Sequence, residues 1–76
     1  MAAPMQLCYK QFALRVEQIR NALGWSQADL AKKIGLSRAS VANLETGRQR
    51  VQLHQVEKIA EALGTSPKHL MRGIWT

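Results

Sequence analysis

Seventy-six residues, 46% of them hydrophobic, are enough for one small domain that buries about 60% of the surface of its unfolded chain, which excludes a second domain. Eleven lysines and arginines against five acids give a net charge of +6, so we expect an anionic partner, either nucleic acid or a membrane surface. The single cysteine, Cys8, excludes an internal disulfide, and no apolar run reaches the ~18 residues that would span a bilayer, so the sequence predicts a soluble, cytoplasmic protein.

The first predicted helix follows a loose lead-in, residues 1–5, which contains a proline. The helix begins near Gln6 and ends at Gly24, and its apolar residues recur at helical spacing: Phe12, Val16, Ile19 and Leu23. Trp25 comes just after it and is placed to pack against Leu30 or a near neighbour as the apolar half of a hydrophobic staple, rather than to stack on a nucleic acid base.

A second helix is predicted over residues 27–34, with a signal at each end. Ser26 can cap it by accepting a backbone hydrogen bond, and Asp29, three positions later, completes a capping-box pattern. Gly35 can adopt the left-handed conformation that ends a helix.

A third helix is predicted over residues 38–45, after a turn of about two residues. Ser37 offers its cap, and Gly47 closes it. The two short helices and the turn between them form a helix-turn-helix. The outward face of the third helix is narrow and short-chained, so it can enter a groove, and its polar or small residues are Ser37, Arg38, Ala39, Ser40, Ala42 and Asn43.

The positive charge is concentrated around this helix-turn-helix. Residues 26–50 are a third of the chain and carry +3 of the total +6. They contain two acids, Asp29 and Glu45, against five bases: Lys32, Lys33, Arg38, Arg48 and Arg50. The anionic partner is therefore expected on this side of the domain.

A fourth helix is predicted over residues 53–63 and ends at Gly64, with apolar residues at helical spacing: Val56, Ile59, Ala60 and Leu63. Ser66 followed by Pro67 is a strong helix start, which predicts a short fifth helix over residues 67–71. Both helices are expected to support the core.

An apolar tail, residues 73–76, follows the predicted domain of residues 6–72. Its bulky residues, Ile74 and Trp75, either form a surface for self-association or fold back onto the core. No stretch alternates as a strand would, so the sequence predicts an all-α domain of five short helices.

Two segments of the chain, IRNALGWSQADLAKKIGLSRASVANLETGRQR and IAEALGTSPKHL, resemble the lambdoid repressor-like helix-turn-helix domains, also called the Cro/C1 or XRE type. The shared pattern is Ser-Gln, Leu-Ala, Gly, Ser, Leu-Glu and Gly, followed by Ile-Ala-x-Ala-Leu-Gly, and the resemblance covers about residues 12–71. It implies a compact five-helix DNA-binding domain in which residues 38–45 are the recognition helix, lying in the major groove.

The resemblance also implies which side chains read the bases. Arg38 and Ala39 occupy base-reading positions, with Ser37 before them and Asn43 one turn later. Arg38 suits guanine, Asn43 suits adenine, and Ala39 can touch a thymine methyl group.

A second set of residues is expected to bind phosphates, which position the domain without reading sequence. The resemblance implies that Gln27 holds a phosphate at the N-terminus of the second helix, where Asn43 could meet its side chain. The remaining phosphate candidates are Ser40, Arg48, Arg50, Lys32 and Lys33. Four other bases are expected to be ordinary surface: Arg15, Lys58, Lys68 and Arg72.

Arg20 and Glu45 match an arginine and a glutamate that form an internal ion pair in many members of this family. The chemistry supports the pairing independently, because an acid at the C-terminal end of a DNA-facing helix opposes both the helix dipole and the phosphates. Glu45 therefore needs a structural reason for its position.

The sequence predicts a DNA-binding transcriptional regulator, most simply a repressor, that binds a pseudo-palindromic operator on double-stranded DNA as a homodimer. An enzyme is rejected because His54 and His69 have neither a nearby cysteine nor acids at metal-ligand spacing, so no metal and no cofactor are expected. A membrane-surface role is rejected because the apolar faces converge on one core. The alternative is an antitoxin-like or adaptor module whose main partner is a protein.

Overall fold

The computed structural model describes residues 3–47 and 51–72, and every regular element in these two ranges is a helix. The prediction of an all-α, five-helix domain is confirmed. No helix in the described ranges is long and apolar enough to cross a membrane. The five helices are α1 Ala3–Ala22, α2 Gln27–Ile34, α3 Arg38–Glu45, α4 Leu53–Leu63 and α5 Pro67–Leu70.

Helix α1 begins at Ala3, earlier than the predicted start at Gln6. The proline of the predicted lead-in, Pro4, lies in the first turn of the helix. Backbone nitrogens of a first turn have no carbonyl partner within the helix, so a residue without an N–H group is tolerated there. The apolar stripe of α1 also ends sooner than predicted, because Leu23 lies beyond the last helical residue and is 45% exposed.

The predicted caps of α2 are confirmed. The hydroxyl oxygen of Ser26 accepts a hydrogen bond from the Asp29 N–H at 3.0 Å, and the Asp29 carboxylate accepts one from the Ser26 N–H at 2.8 Å. Gly35 ends the helix at φ +71°, in the left-handed region that favours glycine.

The capping box should make stability depend on pH. The hydrogen bond that the Asp29 carboxylate accepts from the Ser26 N–H lowers the pKa of this carboxyl below its ordinary value of 3.8. A lowered folded-state pKa stabilises the fold above the ordinary pKa, and this contribution is lost as the pH falls through the folded-state pKa. We expect acidification from about pH 5 to about pH 3 to lower the midpoint of thermal unfolding more for the wild-type chain than for Asp29→Asn. An equal drop of the midpoint in the two chains would contradict a stabilising role of the Asp29 carboxylate.

One core joins all five helices. The five largest fully buried side chains come one from each helix, and they are Val16, Leu30, Val41, Ile59 and Leu70. None of these helices except α1 is long enough to be stable alone in water, because an isolated helix is marginal below about 12–15 residues. Burial of their apolar faces against one another therefore holds them in place.

Helix α1 passes very close to the turn that follows α3. Gly47 lies in this turn at φ +75°, and a Cβ atom added to it would lie 3.1 Å from Cγ and 3.3 Å from Cα of Lys10. An added Cβ would therefore make a tight contact, and either Lys10 or the turn would have to shift by a few tenths of an ångström. The contact places Lys10 next to the C-terminal end of α3.

Arg15 is not ordinary surface, and that prediction was wrong. It is half-buried, and its guanidinium donates hydrogen bonds to the carbonyl oxygens of Leu70 at 3.1 Å and Arg72 at 2.7 Å. The last carbonyls of a helix lack partners within it, so a cation there satisfies them and complements the helix dipole. Arg15 thus ties α1 to the C-terminal end of α5.

Candidate nucleic-acid interface

Helices α2 and α3 pack against each other with their apolar sides inward. Leu30, Ala31 and Ile34 of α2 and Val41 and Leu44 of α3 are all buried in the shared core. The small side chain of Ala31 lets the two helix backbones approach closely. With its inner side held in this way, α3 presents its other side to solvent.

The outer side of α3 carries the predicted base-reading residues. Ser37, Arg38, Ala39 and Asn43 are all exposed, and three of them lie within the first two residues of the helix or at its cap. Except for Arg38, their side chains are short, so the helix backbone can come close to a groove floor. The structure therefore brings these four residues together on one accessible surface.

The N-terminus of α3 is ordered by a pair of serine hydroxyls. Ser37 Oγ accepts a hydrogen bond from the Ser40 N–H at 3.1 Å and donates one to Ser40 Oγ at 3.0 Å. A hydroxyl has one hydrogen to donate and two lone pairs. Ser40 accepts from Ser37, so its own hydrogen is left for another acceptor, such as a phosphate oxygen.

Lys32 and Lys33 are exposed in the last turn of α2. The ammonium group of Lys33 lies 4.8 Å from the centre of the Trp25 ring, within the range of a cation–π interaction. Trp25 itself is half-buried and packs against the core, which confirms its predicted packing role. A phosphate contact for the two lysines stays a prediction.

Arg20 and Glu45 form a bidentate ion pair between α1 and the end of α3. Arg20 Nε lies 2.6 Å from Glu45 Oε2, and Arg20 Nη2 lies 3.0 Å from Glu45 Oε1. The side chains are only 9% and 2% exposed, respectively. The hydrogen bonds to Glu45 raise the pKa of Arg20 above its ordinary value. A third donor group of Arg20, Nη1, bonds to the carbonyl oxygen of Trp25 at 2.6 Å, so the guanidinium links three segments of the chain.

Gln27 joins this ion pair. Its side-chain nitrogen, Nε2, donates a hydrogen bond to Glu45 Oε1 at 3.1 Å. The sequence suggested Asn43 as its neighbour, but Asn43 is exposed on α3, and the partner in the structure is Glu45. A carboxylate carries a full negative charge and is a stronger acceptor than an amide oxygen, which accounts for the difference.

Sequence reasoning missed two relationships at this surface. No local pattern places Lys10 beside Gly47, or Gln27 on Glu45, because each contact joins residues far apart in the chain. Four predicted site residues lie outside the described residues: Arg48, Arg50, Ile74 and Trp75. The phosphate role of the first two and the dimer role of the last two stay predictions.

Comparisons with known proteins identify the same architecture. The profile of the HTH_3 family, described as helix-turn-helix, matches residues 16–70. A hypothetical transcription factor of Neisseria meningitidis is 37% identical over 65 residues, which are 86% of this chain, and the chain spans 57% of that relative's length. Antitoxin HipB of Escherichia coli K12 is 36% identical over 56 residues, 74% of this chain and 64% of HipB.

A solved structure extends the likeness to three dimensions. The crystal structure of the restriction-modification controller protein C.AhdI from Aeromonas hydrophila is similar to this chain with a TM-score of 0.78 and 37% sequence identity. The match covers 82% of this chain and 94% of the controller protein.

Proposed function

Because the chain belongs to the HTH_3 helix-turn-helix family, we propose that it is a sequence-specific DNA-binding regulator of transcription. The observation that carries this proposal is the exposed face of α3, where polar and small side chains project from a helix whose other side is fixed in the core. The major groove of DNA is wide enough to admit such a helix. The net charge of +6 favours association with the phosphate backbone.

Each side chain on this face suits a different part of the DNA. Arg38 can bond guanine with two hydrogen bonds, Asn43 can do the same with adenine, and Ala39 can touch a thymine methyl group. Ser37 lies at the N-terminus of α3 and completes the base-reading set. The proposed phosphate contacts are Gln27, Ser40, Lys32, Lys33, Arg48 and Arg50.

We propose that two chains bind one operator. One recognition helix of eight residues contacts few bases, and a homodimer doubles the contacts on two half-sites about 34 Å apart. Repression, rather than activation, is the simplest outcome for a domain that occupies its DNA site and so blocks access to it. We propose that the protein acts in the cytoplasm on the DNA of a bacterium or phage. A partner protein is the candidate regulator of its DNA binding.

Selection of binding sites from a random DNA library tests this function. The selected DNA should be two-fold symmetric and bound by two chains, with at least about a 10³-fold preference over unrelated DNA. The affinity should fall as salt is raised, because binding releases cations from the phosphates. Weak binding without selection would contradict the proposal.

Arg38→Ala should weaken binding to the selected site by about 1–3 kcal/mol and relax the preference at one base position. Lys68→Ala is the matched control, because Lys68 is an exposed base on α5, away from α3. An unchanged base preference in the Arg38 variant would rule out its assignment as a reader.

The similarity to antitoxin HipB favours a second candidate function, in which the domain binds a protein partner and its contact with DNA is secondary. Selection would then yield no symmetric site for the chain alone. Repeating the selection with the partner present would separate the two functions.

A further inference from the structure

We infer that Glu45 is a positioning residue, which holds the side-chain amide of Gln27 in place for a phosphate. This inference rests on the proposed contact with DNA. Arg20 cancels the charge that Glu45 would otherwise present near the DNA. The three residues belong to three different helices and meet at a single carboxylate, and we call them the Arg20–Glu45–Gln27 cluster.

The location of Gln27 supports a role at the DNA surface. It is the first residue of α2 and follows the cap, Ser26. The capping box engages the N–H groups of Ser26 and Asp29, whereas the geometry of a helix gives the N–H groups of Gln27 and Ala28 no carbonyl within the helix. These two amides and the Gln27 side chain therefore lie at the positive end of the α2 dipole, which favours an anion.

Glu45 determines which way the Gln27 amide faces. A carboxylate only accepts hydrogen bonds, so it selects the NH₂ end of the amide, and the opposite orientation would place two oxygen atoms against each other. The hydrogen bond at 3.1 Å uses one of the two hydrogens on Nε2. The second hydrogen is thereby held at a fixed orientation and can be donated to a phosphate oxygen.

Arg20 makes this arrangement compatible with DNA. Glu45 Oε1 accepts from both Arg20 and Gln27, and Glu45 Oε2 accepts from Arg20, so the carboxylate is bound at both oxygens. An unpaired carboxylate in the same place would repel a phosphate that approaches Gln27. With the guanidinium bound, the cluster carries no net charge.

The inference makes a measurable claim about affinity. A glutamine that is already immobile loses less rotamer freedom on binding, which corresponds to roughly a two- to tenfold gain in affinity. If the ion pair served the fold alone, the contribution of Gln27 to DNA binding would be the same with the pair present or absent.

A double-mutant cycle on the selected DNA tests the coupling. One arm is Gln27→Ala, the other is Arg20→Met combined with Glu45→Leu, and the third variant carries all three changes. The pair substitution removes one positive and one negative charge, so the net charge of the chain is unchanged. Gln18→Ala, at an exposed glutamine of α1, is the control for loss of a surface amide.

We expect Gln27→Ala to lower affinity by about tenfold in the wild-type chain, as for a hydrogen bond to a charged group, and by less than about threefold where the pair is replaced. An equal loss in both backgrounds would overturn the inference. No loss in either background, with Arg38→Ala still weakening binding, would overturn it and leave the proposed function intact. A wild-type chain that selects no DNA would overturn both.

A second measurement needs no substitution and so does not depend on the folding of a variant. In ¹⁵N relaxation experiments on the unaltered chain, the side-chain NH₂ group of Gln27 should be rigid on the ps–ns timescale, and that of Gln18 should be mobile. Equal mobility of the two groups would overturn the inference, because a freely rotating amide is not positioned.

Discussion

Arg20→Met should lower the free energy of unfolding by about 3–5 kcal/mol, the largest loss that we expect from a single substitution of a charged residue in this chain. The loss arises because the substitution leaves Glu45 without its ion-pair partner. Glu45 has a side chain only 2% exposed, and without the guanidinium its charge is buried and uncompensated. Methionine keeps the apolar bulk of the arginine stem but supplies no donor. Urea unfolding followed by circular dichroism measures the loss.

Replacing both members of the pair should restore most of this stability. A well-packed apolar pair of similar volume is often as stable as the buried ion pair that it replaces, because no charge needs to be desolvated. We therefore expect Arg20→Met with Glu45→Leu to unfold within about 1–2 kcal/mol of the wild type. Lys68→Met, at an exposed lysine, is the control and should change little. A double variant as unstable as Arg20→Met would show that the hydrogen bonds of the cluster, rather than the buried charge, stabilise the fold.

Gly47→Ala should lower the free energy of unfolding by about 2–4 kcal/mol, the second large effect, because the added Cβ atom is unfavourable in two ways. Any residue with a Cβ is strained at φ +75°, and here the added atom would also meet α1, at 3.3 Å from Lys10 Cα. A flexible side chain could move aside, but a backbone atom of a packed helix moves only with the helix.

Gly35→Ala is the matched comparison for this prediction. Gly35 has nearly the same φ, +71°, but no atom lies within 4 Å of the position of its added Cβ. Gly35→Ala should therefore lower the free energy of unfolding only by the backbone strain, about 1–2 kcal/mol. The difference between the two losses of stability measures how firmly α1 rests on the turn after α3. Equal losses would mean that α1 shifts without cost.

The features that sequence predicted well are those that depend on neighbours in the chain. The Ser26–Asp29 capping box and the glycine at position 35 act over three or four residues, so the pattern of residue types contains all that is needed to find them. Position 38 on the outer face of α3 follows from the same local reasoning, since the buried stripe of Val41 and Leu44 determines what remains exposed.

The features that sequence could not supply depend on how the helices pack. Arg15 reaches the end of α5 only because α1 and α5 are neighbours in the fold, and nothing around residue 15 indicates a carbonyl partner. Gln27 and Glu45 meet for a similar reason. The Arg20–Glu45 pair was predicted on other grounds, namely the resemblance to the helix-turn-helix family and the unfavourable placement of an acid at a helix C-terminus. The predicted start of α1 was too late, because a proline in the first turn does not interrupt a helix.

The tie between Arg15 and the end of α5 has a consequence for how the protein is made. The carbonyl oxygens that Arg15 binds belong to Leu70 and Arg72, and Leu70 also fills the centre of the core. During synthesis, α1 leaves the ribosome long before these partners exist, and the remaining helices are too short to hold their shape without them. The growing chain therefore acquires its native packing only after residue 72 has left the ribosome, and residues 70–72 complete the core on which α3 rests.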